Sequence, residues 1–187
     1  MGDDPYLDPD SGVLRNKLGL TRAVVLDRHE RRLATQRIAE GLPAGDFDLR
    51  QLRAIHRHIF QDVYDWAGQI RVVEIAKGGT QFMAFRFIET GMADVHRRLL
   101  AAEFLRGLSA DVFANEAAVI IGDINHIHPF REGNGRAQLQ YLRVLAEQAG
   151  HDLDLTRLSG PAWIQACREA HLARYDAIAA AIASALR

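Results

Sequence analysis

Apolar and polar positions along this chain repeat with a helical period, broken once by a stretch of different character. Leu49, Leu52, Ile55, Ile59 and Val63 recur at spacings of three and four, which predicts an amphipathic helix. Asp48 and Gln51 stand as a capping box at its start, with Asp in place of the usual Ser or Thr, and Gly68 ends it. Upstream, residues 21–40 have helical composition and a polar face of arginines and glutamates, stopped by Gly41 and Pro43. The pattern then changes. "QIRVVEIA" is rich in β-branched residues, "TQFMAF" has aromatic and Thr character, and "KGG" lies between them. Glycines between two strand-like runs predict a hairpin, the single β signal in the chain.

Helical spacing returns with Ile88, Met92, Val95 and Leu99, in a helix ending near Gly107. Ser109 is placed to cap the next helix, where Phe113, Ala117, Ile120, Ile121 and Ile124 face inward. Pro129 stops it, because the residue before a proline is driven out of the α conformation. Another helix begins near Asn134, with Ala137, Tyr141, Val144 and Leu145 on one face. Leu139 and Leu142 widen its apolar coverage, so it belongs near the centre, and Gly150 ends it. Ser159, Gly160 and Pro161 open a last helical region, and "AIAAAIASAL" closes the chain as a helix. At the other end, Pro5 and Pro9 among four aspartates give an irregular arm, and "GVLRNKLGL" reads as a short helical turn. The fold class is therefore mainly α: a helical bundle with one inserted β-hairpin. We read residues 1–187 as a single domain, with an N-terminal arm and helix over 1–45, a core over 46–175 carrying the hairpin near 69–86, and a C-terminal helix over 176–187.

Composition narrows the function more than the fold. A chain of 187 residues buries a core without disulfides or metals. A formal net charge of −1 supplies no global field for nucleic acid or an anionic membrane, so neither is expected as a direct partner. The lone cysteine, Cys167, excludes an internal disulfide and fits a reducing cytosol. The acidic N-terminus is unlike a signal peptide, and Gly2 is not followed by the Ser or Thr of a myristoylation signal. No run is long enough to span a membrane. The expected location is cytoplasmic.

The chemistry concentrates in "HIHPFREGNGR", residues 126–136, a polar stretch between two strongly apolar helices. Gly133, Asn134 and Gly135 let the backbone turn tightly and expose bare N–H groups. At a helix start those groups lack internal partners and the positive end of the helix dipole points the same way, which makes an anion site. Arg136 in the first turn adds a charged fork suited to phosphate. Glu132 beside the cradle can hold Mg²⁺, which binds through few carboxylates and substrate phosphates. His128 can take a proton from an attacking hydroxyl. Asn134 can bond a phosphate oxygen or fix the loop. A base, a metal-holding acid and an anion cradle make a phosphoryl- or nucleotidyl-transfer site. Other readings are plainer. His126 and His128 with His151 or Glu132 would make a zinc set, but His126 reads better as a helix-end residue. His56 and His58 alternate with arginines, which suggests a solvated face. Trp66 and Trp163 read as core, and Cys167 as structural.

"HPFREGNGR" resembles the signature of the Fic (filamentation induced by cAMP) family, His-x-Phe-x-Asp/Glu-Gly-Asn-Gly-Arg-x-x-Arg. "IHRHIFQDVYDWAGQIR" and "KGGTQF" are similar to the segment that enters the family's β-hairpin flap. "GVLRNKLGL" resembles the N-terminal region of short class I bacterial Fic toxins, so the likeness covers roughly residues 5–175. It implies a helical Fic fold and Mg-dependent transfer of AMP from ATP to a protein hydroxyl. By motif match His128 is the catalytic base, Phe130 anchors the loop and Glu132 holds Mg²⁺. Gly133, Asn134 and Gly135 form the phosphate-binding hole, assisted by Arg136. A flap of Lys77, Gly78, Gly79, Thr80, Gln81 and Phe82 would clamp the target as an added strand. The likeness also implies a target such as a type II topoisomerase subunit, and a small antitoxin as partner.

The resemblance departs at one place. The signature's last arginine falls at position 139, which is Leu139. In the family that arginine contacts the γ-phosphate and pairs with an inhibitory glutamate, so its absence implies an altered nucleotide site and escape from that inhibition. Arg143, one turn on, is a poor geometric substitute. The inhibitory pattern Ser/Thr-x-x-x-Glu-Gly/Asn is not met either: "TQRIAEG" offers Glu40 and Gly41, but Gln36 stands four before the glutamate. The alternatives to an AMP transferase are a Fic-fold transferase using another nucleotide or phosphate donor, such as the Doc-type kinase, and a catalytically degenerate binding module. Intact "GNGR" argues against the kinase.

Overall fold

Leu52, Ile55, Ile59 and Phe60 are fully buried, and the stripe they form fixes helix α2, Leu49–Phe60, against the rest of the chain. The computed structural model describes residues 4–187, so the first residues of the arm, Gly2 among them, lie outside the described residues. Asp48 caps α2 by accepting the Gln51 N–H at 2.9 Å. The reciprocal bond shifts by one residue: Gln51 Oε1 accepts from Phe47 N at 2.7 Å, because Phe47 takes a positive φ of 58°. The helix ends at Phe60 rather than near Gly68. Residues 61–67 follow as turns that bury Val63, Tyr64 and Trp66.

The described residues form seven α-helices and one short hairpin. Helix α1, Ala23–Ala39, lies against α2. Strands β1, Ala76–Lys77, and β2, Thr80–Gln81, pair antiparallel with Lys77 opposite Thr80. The β-branched run before them forms no ladder. Its polar groups find other partners: Arg71 N bonds Pro129 O at 2.9 Å, and Val72 N donates to the Tyr6 hydroxyl at 3.2 Å. Helix α3, Ile88–Ala101, buries the four expected apolar residues but stops before Gly107. Glu103–Leu105 then turn with positive φ at every residue, which carries Leu105 into the core.

Helix α4, Ala110–Ile127, is the axis of the bundle, packed by α3, by α5, Asn134–Ala149, by α6, Gly160–Ala170, and by α7, Asp176–Ala185. Ser109 occupies its N-cap position with extended backbone, but its side chain makes no capping bond. Near the N-terminus "GVLRNKLGL" forms no helix. Leu7 and Leu14 make an isolated antiparallel bridge, and Tyr6 packs edge-on to Trp66 at 5.4 Å. Asp4 pairs with Arg131 at 2.8 Å, which ties the arm to the loop between α4 and α5. No helix among the described residues is long and apolar enough to cross a membrane.

Ile124 is fully buried in α4, one turn before the loop. Ile124→Ala is expected to cost about 2–5 kcal/mol in urea unfolding, with the denaturant slope unchanged.

Candidate active site

Helix α4 ends because His128 turns left-handed, with φ 48° and ψ 63°, ahead of Pro129. That reversal aims the imidazole into a cleft between α5, α6 and the hairpin. His128 Nδ1 lies 3.1 Å from Asn125 O. A carbonyl can only accept, so Nδ1 carries the proton and Nε2 keeps its lone pair. Burial pushes the His128 pKa down to about 4, opposed by the Asn125 bond and assisted by the neighbouring basic groups Arg71, Lys77 and His171. At neutral pH the ring is an unprotonated base.

The loop is held by Phe130 and Asn134, as expected, and by His56, which the sequence placed on a solvated face. Phe130 is fully buried and stacks on His56, with ring centroids 3.9 Å apart. His56 is 0% exposed, not on a solvated face. Gly68 N donates to its Nδ1 at 2.9 Å, so its Nε2–H donates to Glu132 O, also at 2.9 Å. Burial lowers its pKa to about 3. His58 is half-buried and meets Arg37 O at 2.7 Å. Asn134 spends both ends of its amide on Phe130: Oδ1 accepts from Phe130 N at 2.9 Å, and Nδ2 donates to Phe130 O at 2.7 Å. Of the two roles open to it, its side chain fixes the loop.

Arg71 is the largest contribution the sequence reading missed. It is 1% exposed, and its guanidinium donates to the carbonyls of Val73, Met83, Ile127 and His128. It thereby joins both sides of the hairpin base to the C-terminal end of α4. The available signal was a cation inside a run of β-branched residues.

Gly133 has φ 81°, and a Cβ there would lie 2.5 Å from Phe60 Cε2 and 3.1 Å from His56 Nε2. The turn therefore accepts only glycine. Gly133 N donates to Glu132 Oε1 at 2.9 Å. The first backbone bond of α5 is Ala137 N to Gly133 O at 3.1 Å, and the N–H groups of Asn134, Gly135 and Arg136 have no acceptor among the described residues. A Cβ on Gly135 would meet nothing within 4 Å, and Asn134 and Gly135 both line the cleft. This cradle fits a phosphate, and Glu132 on its rim fits a Mg²⁺ ion held jointly with phosphate oxygens.

The cleft measures about 350 Å³. Lys77, Thr80 and Phe82 of the hairpin, His128, Glu132, Asn134 and Gly135 all line it. Gly78, Gly79 and Gln81 do not; they form the outer tip. Gln138, Trp163, Ile164, Cys167, Arg168 and His171 complete the wall and were not read as site residues. Trp163 and Cys167 sit one helical turn apart, a spacing that looked like core. A larger recess of about 690 Å³ lies along the outer face of α2, beside Arg50, Arg53 and Arg57, but it is wide open and touches none of the loop.

Arg136 departs from its expected place. Its guanidinium turns away from the cleft, pairs with the buried Glu30 of α1 and lies 4.7 Å over the Phe60 ring. Glu30 also accepts the Tyr64 hydroxyl, and Arg136 Nη1 is buried without a partner. Leu139 packs against the core outside the cleft, and Arg143 reaches Glu147 at 3.7 Å. Glu40 pairs with Arg37 at 2.9 Å at the end of α1 and does not line the cleft. His126 meets His171, Nδ1 to Nδ1 at 3.3 Å, and His151 bonds Leu108 O. No group of three His, Cys, Asp or Glu among the described residues is placed to hold a metal, so the zinc set does not assemble.

Two outcomes follow from the buried loop. Gly133→Ala combines a forced left-handed side chain with overlap on Phe60, and is expected to cost more than about 2 kcal/mol in thermal or urea unfolding. Both His56 and His128 are held neutral below their ordinary 6.5, at about 3 and about 4. The unfolded chain takes up protons that the folded one refuses, so stability is full above pH 6.5 and falls as pH drops through that window. The urea midpoint should fall from pH 6.5 toward 4, with a shallower slope in His56→Gln.

Residues 46–146 match the family model described as the Fic/DOC family. The probable protein adenylyltransferase y4lH of Sinorhizobium fredii is 41% identical over 165 residues, 88% of this chain and 86% of that protein. The probable protein adenylyltransferase Fic of Salmonella typhimurium is 34% identical over 193 residues, covering 99% and 93% of the two chains. Among solved structures, the N-terminal Fic domain of a VirB-translocated Bep effector from Bartonella quintana, with bound ADP, has a TM-score of 0.89 at 25% identity over 97% of this chain and 94% of that one. BepC of Bartonella tribocorum, with bound AMPPNP, also gives 0.89 at 24% identity over 97% and 96%. The left-handed histidine, the glycine cradle and the buried anchor thus sit in a shared architecture, and this chain belongs to the Fic/DOC family.

Proposed function

We propose that the chain is a protein adenylyltransferase that moves AMP from ATP to a hydroxyl side chain of a target protein. One observation carries this reading: His128, with its free Nε2, and the start of α5 at Asn134 and Gly135, where N–H groups lack partners among the described residues, line the same cleft. The relatives named as adenylyltransferases support the chemistry, and the ADP held by the Bartonella quintana domain supports an adenine nucleotide as donor.

In this reading His128 Nε2 takes the proton of the target hydroxyl as that oxygen attacks the α-phosphorus. The bond from the α-phosphorus to the bridging oxygen breaks, and pyrophosphate leaves. The N–H groups of Asn134, Gly135 and Arg136 bind the phosphate oxygens on which charge gathers. Glu132 would hold Mg²⁺, which when bound neutralises phosphate charge. The exposed hairpin tip, Lys77 to Gln81, offers backbone for an extended target segment to pair with.

Leu139 favours one amendment. Helix α5 gives the cleft no cationic side chain, since Arg136 is committed to Glu30 and Arg143 lies by Glu147. The cations lining the cleft are Lys77, Arg131 and Arg168, and Arg131 is already paired with Asp4. The far end of the triphosphate is therefore held loosely, which matters less for attack at the α-phosphorus than for transfer of the γ-phosphate. Glu40 stands outside the cleft, so restraint of the enzyme falls to a second chain, such as a small antitoxin. The target, a type II topoisomerase subunit on the resemblance, and a cytoplasmic site of action complete the proposal.

The test uses ATP labelled at the α- or the γ-phosphate, with Mg²⁺ and a bacterial lysate. Label should pass from the α position alone, and His128→Ala should lower it by about 10²–10⁴-fold. Passage of γ-label would instead make the protein a kinase, and passage of neither would refute ATP as donor. Leu139→Arg should tighten ATP more than ADP, measured by calorimetry.

A further inference from the structure

Taking His128 as the base, one face of its ring still has to be held and kept dry. Asn125 O fixes the Nδ1 edge at 3.1 Å, and Arg71 Nε fixes the main-chain carbonyl at 2.8 Å. Neither contact controls the plane of the ring. Phe82 does. It lies face to face with the imidazole, centroids 3.7 Å apart and planes 17° from parallel. Three contacts set its place. Phe82 N donates to Ile75 O at 3.2 Å, one bond beyond the paired strands. Met83 N donates to His126 O at 3.0 Å and pins the next residue to α4. His171 meets the phenyl ring edge-on, at 5.8 Å and 90°. Lys77 and Gln81 at the tip are exposed, whereas Phe82 turns inward.

We propose that Phe82 is a positioning residue for the base and not part of the target clamp. Its ring holds the imidazole in the plane that sends Nε2 into the cleft and shuts water off one face. The base is aimed and unprotonated only while the hairpin is seated on it, so a target that engages the hairpin acts directly on the base. The other groups around the ring are Arg71 behind its carbonyl, Lys77 on the hairpin and His171 beyond Phe82, with Arg131, Glu132, Cys167 and Arg168 on the same cleft. The three nearest are basic, so they already oppose a proton on His128. Removing the phenyl ring leaves them in place and restores water, which lets the histidine protonate more readily.

The inference rests on His128 being the base, but its test does not need AMP transfer. The titration of His128 is followed by NMR in the full chain without nucleotide or target, using labelled histidine. The wild type should titrate near 4, far below the ordinary 6.5. Phe82→Ala should move the midpoint up by about one unit or more, and Phe82→Trp should stay with the wild type. Should the alanine variant fail to fold, Phe82→Gln fills more of the space than alanine, hydrates the face and carries the same expectation. A midpoint unmoved in a folded Ala or Gln variant overturns the proposal, whatever the transfer assay shows. In active enzyme, the acid limb of kcat/KM should move up in Phe82→Ala, with loss at pH 5 exceeding loss at pH 8 by about twofold for a one-unit shift. Equal loss at both would mean a merely structural role.

Discussion

A buried guanidinium holds this molecule's working parts together. Among the described residues Arg71 has one acid within ion-pair range, Glu74, at a long 3.8 Å. Its donors go to four backbone carbonyls drawn from the hairpin base and the last turn of α4. The last carbonyls of a helix lack internal partners and carry the negative end of its dipole. A cation there answers both needs. Burial pushes the Arg71 pKa down, opposed by Glu74 and Tyr6, yet five fixed donors make the guanidinium suited to several acceptors at once. Because the same group reaches Val73 and Met83, the hairpin cannot swing freely from the end of α4. Phe82, beside Met83, is delivered to the ring of His128 by that tie.

The second constraint is the reversal of the chain between α4 and α5. His128 and Gly133 both take positive φ, and the residues between them are locked from opposite sides. Asn134 closes the loop on Phe130, and His56 holds the carbonyl of Glu132. Each lock is a buried polar group whose partners are satisfied, and such groups set geometry more firmly than apolar packing does. The result is an imidazole with a free Nε2 and a helix start whose first N–H groups lack partners among the described residues, both fixed by the chain's own contacts. Pre-organisation of this kind spares the reaction the cost of arranging dipoles as charge develops.

Charge is distributed with a similar economy. Helix α5 points its N-terminus at the cleft but withholds its cations. Arg136 instead binds Glu30, the one buried acid of α1, and thereby fastens α1 to the active-site helix through the ring of Phe60. A family motif residue thus serves as a structural tie in this chain, while Arg168 on α6 faces the cleft without a salt-bridge partner among the described residues.

The sequence by itself determined the helices and the location of the chemistry. Spacings of three and four name a buried face wherever a helix forms, and they held for Leu52, Ile55 and Ile59, for Met92 and Val95, and for Ile120 and Ile124. The nine residues "HPFREGNGR" named the loop, because glycines, an acid and a histidine between two apolar helices have no packing explanation. Only the tertiary structure decided which polar side chains face the cleft and which are consumed in building it. His56 read as solvent-facing and Arg71 drew no reading, yet both are buried, and Arg136 read as a ligand, yet it holds Glu30. Helical periodicity is a local property of neighbouring turns. The partners of a buried polar group come from segments far apart in the chain, as His56 to Glu132 and Arg71 to His128 show, and no local spacing encodes them.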